Sequence, residues 1–205
     1  MRDITITRQV FTTYELSPTA RENAINKLRE IAYETLPSGM VGESLNGELY
    51  GLLTGEWVGD IRDDKLTKDI GLNIEWSLSY CQGDGVAIYG TLDSGDAPNL
   101  NWGDATKAIL TRNHWGNHYT HGNCIDIALY RYDDEGYEID ITDTGYFADQ
   151  IKDICRKLER HGYAEIENWT SETTVIDTLN DCYADTARRF NEDGTFAPAE
   201  FWGAQ

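Results

Sequence analysis

The chain has 205 residues, 40% of them apolar and 26% charged, enough length and apolar content to bury a core and too much to leave it disordered. Lys and Arg number 17 against 36 Asp and Glu, a net charge of −19, with both halves acidic. Such a field disfavours non-specific contact with nucleic acid or anionic lipid and favours basic partners. No apolar run approaches the ~20 residues of a membrane span. The N-terminal MRDITITRQVF alternates like a strand and lacks the apolar centre of a signal peptide, so the chain is expected in the cytoplasm. Cys81, Cys124, Cys155 and Cys182 are widely spaced with no Cys-x-x-Cys pair, the pattern of free, mostly buried thiols.

Ile4–Tyr14 is rich in β-branched and aromatic residues and predicts a strand. Ser17 then stands as the cap, and Pro18 as the first residue, of an amphipathic helix over 18–36, carried by Ala20, Ala24, Leu28, Ile31 and Ala32. In 40–69, Leu45, Leu49, Leu52 and Leu53 suggest a short helix, the glycines argue against a long one, and Asp60–Asp69 reads as a charged connector. Leu72–Tyr80 and Val86–Leu92 alternate about Gln82–Gly85 as a hairpin. Residues 93–103 are turn chemistry, and Asp104–Leu110 is a helical turn or the start of a strand.

A second hairpin is expected from 123–132 and 137–142. Thr144–His161 reads as an amphipathic helix closed by Gly162 in a left-handed cap. A third helix is expected over Ser171–Phe190. Strand, helix, two hairpins and two helices do not alternate as βαβ units. They predict one α+β domain over 1–205, an antiparallel sheet covered on one face by about three amphipathic helices.

Gln82-Gly83-Asp84-Gly85 is the first candidate for chemistry. Its glycines permit positive φ and close backbone approach, so the loop can offer amides to an anion, with a carboxamide and a carboxylate beside them. Turn geometry alone also explains these residues, with Asp84 bonding its own backbone. No Lys or Ser/Thr follows the last glycine, and a strand follows instead of a helix, which excludes both phosphate-loop fingerprints. The second candidate is Asn113–Cys124, which holds His114, His118, His121 and Cys124. Imidazole and thiolate are zinc ligands, but Gly116 and Gly122 interrupt the segment and no second ligand pair stands elsewhere, so no metal is assigned. A single histidine acting as acid–base or hydrogen-bond donor is the stronger reading. Trp102 and Trp115 flank the segment and can wall a pocket or stack on a base. The third feature is an acidic run, Asp133 to Asp149, without Lys or Arg between Arg131 and Lys152. Its spacing is not that of an EF-hand; it is a solvated hairpin or a ridge imitating DNA phosphates.

The stretch Ser77–Gly90, SLSYCQGDGVAIYG, resembles a Ser-Gln-Gly-Asp-Gly hairpin found in phage and prophage proteins of no established activity. Tyr89-Gly90, Tyr119-Thr120-His121 before the strand from Cys124, and the SPTARENAINKLREI helix carry the rest of the likeness, over about two-thirds of the chain. Cys81, where the family pattern has Ser, and the glycine-rich 40–60 segment depart from it. The resemblance implies a phage origin and action in the host bacterial cytoplasm, and that the 82–85 loop and His121 form one site. It supplies no catalytic residue.

Two functions follow. The first is an inhibitor of a host defence system. It would bind a defence protein with a basic surface, as a DNA mimic, or sequester a signalling nucleotide on Gln82, Gly83, Asp84, Gly85, His121 and Trp115. No cofactor, direct DNA binding or membrane association is expected of it. The second is a hydrolase of a nucleotide or phosphodiester with Asp84 and His121 as its acid–base pair.

Overall fold

Five strands pair in chain order into one antiparallel sheet, β1 (Leu72–Ser77), β2 (Gly85–Asp93), β3 (Lys107–Arg112), β4 (Ile125–Tyr132) and β5 (Glu138–Ile141). The β1–β2 and β4–β5 connections are short hairpin loops, and the two between them, 94–106 and 113–124, are longer. The computed structural model describes residues 9–35, 38–81, 83–113, 120–141, 145–175 and 189–198. They divide into two units, Met1–Leu36 with Ile166–Gln205, and Pro37–Glu165, which holds the sheet. The α+β class and both expected hairpins are as read from alternation. Asp104–Leu110 resolves as a strand, beginning at Lys107.

The sheet's two faces differ. Leu92 pairs across with Ala108, and Ala108 with Leu129, and all three are buried. Side chains one residue away in each strand point the other way. There Thr91, Asp93, Thr111, Asp126, Ala128, Tyr132, Glu138 and Asp140 are exposed. Helix α4 (Tyr146–Trp169) meets the sheet at β2, where the Cys155 thiol bonds the Ile88 backbone. Phe147, Ile151, Ile154, Cys155 and Leu158 recur along one side of it and are all buried. Each such aliphatic or aromatic side chain is worth about 1.5–3 kcal/mol relative to exposure. Gly122 lets the chain close on this helix, since a Cβ there would lie 3.1 Å from Cys155 Cβ and 3.2 Å from Lys152 Cα.

Three expectations for this unit are corrected. Helix α2 (Ser38–Thr54) is long despite its glycines. Gly47 is needed there, because a Cβ would overlap the Gly59 carbonyl oxygen. Val41, Leu45, Leu49 and Leu53 form its buried stripe. Most of the expected connector Asp60–Asp69 belongs to helix α3 (Asp63–Ile70). Leu66 and Ile70, one turn apart, are buried beneath its charges, and Gly71 at φ 81° caps it. Gly162 does not end α4; the helix runs seven residues further. It sits at a close approach, where a Cβ would overlap a Leu78 methyl and lie 3.3 Å from one of Leu45.

The other unit is built on helix α1 (Pro18–Thr35), whose Ser17 hydroxyl accepts from the Ala20 N–H as a cap does. Leu16, Ala20, Ala24 and Leu28 pack with Val175 and Phe190 into a small core, with Phe11 and Phe196 against it. Phe190 bridges Phe11 and Phe196 through single backbone pairings. The expected strand Ile4–Tyr14 is thus reduced, in its described part from residue 9, to the bridge at Phe11, because a turn follows at once at Thr13. Of the expected third helix, residues 172–175 are helical with the Ser171 hydroxyl capping Thr174 N–H at 3.2 Å; residues 176–188 lie outside the described ones. Phe190, its expected last residue, is in the bridge instead. No helix among the described residues is long and apolar enough to cross a membrane.

Candidate functional site

The loop from β1 to β2 is organised around one carboxylate. Asp84 Oδ1 accepts from the Ser77 hydroxyl at 2.8 Å and the Ser79 hydroxyl at 3.1 Å. Its Oδ2 accepts from the Ser79 N–H at 2.7 Å, the Cys81 N–H at 2.6 Å and the Tyr163 hydroxyl of α4 at 3.2 Å. The Asp84 N–H in turn donates to the Cys81 carbonyl at 3.2 Å. Charge-assisted bonds of this kind are the strong ones, and together they take up the acceptor capacity of the group. Burial pushes the Asp84 carboxyl up. The donors from Cys81, Ser77 and Ser79 outweigh that and hold it below the usual carboxylate range.

Tyr163 ties this loop to the helix. Its ring lies 4.7 Å, centroid to centroid, from that of Tyr80. Tyr80 is at φ 59°, a conformation an L-residue rarely adopts, and the ring contact with Tyr163 helps hold it there. Burial, and then the facing Asp84 charge, push the Tyr163 phenol up to about 12, so it remains a donor at neutral pH.

The loop also meets the segment before β4. The Thr120 N–H donates to the Gly83 carbonyl at 2.9 Å. Gly85, at φ 150°, lies under residues 120–121: a Cβ there would be 2.5 Å from the Thr120 carbonyl oxygen and 3.0 Å from His121 Cβ. Gly83, Asp84, Gly85 and His121 therefore share one neighbourhood. Gln82, Trp115, His114 and His118 lie outside the described residues.

His121 begins the 3-10 turn Gly122–Cys124, and its Nδ1 accepts the Asn123 N–H at 3.1 Å. That bond places the ring proton on Nε2 in the neutral form. The Cys124 sulfur lies 3.6 Å from Nδ1 and is buried. His121 is not among the hydrogen-bond partners of Asp84, which are Ser77, Ser79, Cys81 and Tyr163. Nearby, Arg112 pairs with Glu75 and reaches the Thr120 hydroxyl at 3.5 Å, which steadies the same segment.

Among the described residues no three His, Cys, Asp or Glu side chains converge as a metal set. Cys155 is inert: burial pushes its thiol up to about 12. Trp102 does not face the loop but packs on Phe147 at 4.9 Å and donates its indole N–H to the Ala97 carbonyl.

Sequence reasoning missed Ser77, Ser79 and Tyr163. The two serines had a local signal, since side-chain oxygens at alternate positions before a Gly-Asp-Gly turn are what an aspartate hub collects. Tyr163 had none, because it lies 79 residues away. His161 was also missed; its Nε2 lies 2.8 Å from the Ser44 hydroxyl and links α4 to α2.

No protein-family model, curated protein or solved structure matches the chain.

Proposed function

We propose that this chain is a binding protein that works through acidic surface. Its target is a host defence protein of bacteria whose nucleic-acid groove is basic, and it enters the cell with a phage. The observation that carries this reading is the uncovered face of the sheet. Asp93, Asp126, Glu138 and Asp140 stand exposed there on strands β2, β4 and β5. From β2 to β5 is three strand spacings, about 14–15 Å. Lys107, on the same face, is neutralised by Glu138 at 2.5 Å. Tyr89, at 36% exposure, and Tyr132, at 49%, add aromatic surface of the kind that anchors interfaces. Asp133, Asp134 and Glu135 continue the negative surface at the β4–β5 turn.

Against the hydrolase reading stands the bonding of Asp84. A carboxylate held by five donor groups and kept below its usual range is a poor proton acceptor near neutral pH. Its partners also leave it no bond to His121. The nucleotide-capture reading is weakened similarly, because the Asp84 carboxylate and the Gly83 carbonyl are spent inside the fold.

Affinity capture from bacterial lysate, with mass spectrometry and a salt titration of the retained proteins, tests the proposal. It expects a partner with a basic nucleic-acid groove that is released by salt and displaced by double-stranded DNA. A complex indifferent to both, or a phosphodiester turnover abolished by Asp84→Ala, overturns it.

A further inference from the structure

The last strand leaves one edge of the sheet open. β5 stands at the end of the strand order and pairs only with β4. We propose that an extended basic segment of the partner protein adds to this edge as a further, antiparallel strand. This docking rests on the acidic-surface reading for the sign of the partner's charge and gives that reading a geometry.

The hairpin's own bonds fix which groups face outward. The Asp133 N–H donates to the Tyr137 carbonyl at 3.0 Å and closes the turn between β4 and β5. Bonded and non-bonded pairs alternate along an antiparallel ladder. Arg131 and Ile139 are therefore a bonded pair, whereas Tyr132–Glu138 and Tyr130–Asp140 are not. The N–H and C=O groups of Glu138 and Asp140 point away from β4, and no described residue bonds them. β5 contains no Pro, and Glu138, Ile139 and Asp140 are all exposed. Outward backbone groups on an accessible edge are a template for another strand, a common mode of peptide capture.

The side chains select the occupant. Glu138 and Asp140 stand on the open face, and Ile139, at 36% exposure, on the other. An added antiparallel strand sets alternate residues opposite the two carboxylates, where Lys or Arg is attracted and Asp or Glu repelled. Lys107 is paired with Glu138, whereas Asp140 forms no ion pair among the described residues. The partner residue between lies beside Ile139, with Arg131 beyond it, so an apolar side chain suits that position and a basic one does not. A second copy of the chain does not fit. Every register that joins the outward groups of two β5 edges sets Glu138 or Asp140 against Glu138 or Asp140, and like charges directly opposite repel.

NMR titration of the full chain with the end-blocked peptide Lys-Val-Lys-Val-Lys tests this. Shift changes should saturate with a Kd of about 1 mM or tighter. At saturation, exchange of the Glu138 and Asp140 amides should slow about fivefold or more, while the Ile139 amide, already bonded to β4, changes little. The same peptide methylated on its lysine backbone nitrogens keeps its charge but loses the donors that face β5, and should bind at least about tenfold more weakly. Thr-Val-Thr-Val-Thr should be weakened by about as much. Asp140→Pro removes an outward N–H and no bond of the sheet, so it should weaken binding more than Asp140→Asn does. Absence of saturation up to about 10 mM, equal binding of the methylated peptide, or unslowed Glu138 and Asp140 amides overturns the edge docking and leaves the acidic face to its own salt and DNA-displacement test. Equal binding of the threonine peptide overturns it too, and counts against the acidic-surface reading as well. Should Asp140→Pro fail to fold by circular dichroism, the methylated peptide on the wild type decides.

Discussion

Asp84 does for its loop what a helix cap does for a helix: it collects N–H and O–H groups that a tight turn would leave without acceptors. Asp84→Ala should therefore destabilise the protein by about 1–3 kcal/mol in urea unfolding, toward the lower end because the group is only half-buried. The pH dependence follows from the lowered carboxyl. A carboxyl that is more acidic folded than unfolded contributes stability above its unfolded value, near 4, and loses it as pH falls through the folded one. The gap between wild type and Asp84→Ala should thus be full at pH 7 and close in acid below about pH 4. A gap constant across that range would remove the carboxylate from the account. Gly85→Ala should cost at least as much, since it combines a φ of 150° with an approach of 2.5 Å to the Thr120 carbonyl. At this scale the turn's composition disclosed Gly83, Asp84 and Gly85. It could not disclose Tyr163, because a hydrogen bond across 79 residues leaves no trace in local spacing.

Helices α2 and α4 show where reading glycine as a helix breaker goes astray. The propensity argument counts the backbone entropy of Gly47 and Gly162 but not the neighbours that need their missing Cβ. At Gly47 the obstacle is the backbone of Gly59, which cannot yield locally; at Gly162 it is the flexible end of Leu78. Gly47→Ala should consequently be the more destabilising, by about 1–3 kcal/mol, and Gly162→Ala the milder. Gly39→Ala, with nothing within 4 Å, should be neutral or stabilising by up to about 1 kcal/mol. Thermal unfolding of the three variants checks the order, and equal effects would mean that close packing is not why α2 carries its glycines. The hairpins were legible because alternation is a strong local signal. Helix α3 was not, because only Leu66 and Ile70 mark its buried side within a run of charges.

Across the whole molecule, 36 acidic against 17 basic side chains must repel one another in the folded state. The exposed pairs Lys27–Glu30, Lys65–Asp69 and Lys157–Asp153 offset little of this. Melting temperature should therefore rise as salt increases from about 0.01 to 0.5 M, where the screening length falls from roughly 30 Å to below 8 Å. A fall over that range would mean that attractive pairs dominate. The acidity itself was plain from composition. That Asp93, Asp126, Glu138 and Asp140 share one exposed sheet face was not, since that depends on strand register.

We propose that this exposed sheet face is the working surface, while Asp84 serves the fold. The most direct test measures partner affinity against ionic strength for the wild type, for Asp93→Asn/Asp126→Asn/Asp140→Asn, and for Asp84→Ala. Affinity should fall steeply with salt in the wild type, and the triple variant should bind more weakly with a shallower slope. Folded Asp84→Ala should behave like the wild type. Wild-type affinity in the triple variant together with lost binding in Asp84→Ala would contradict it.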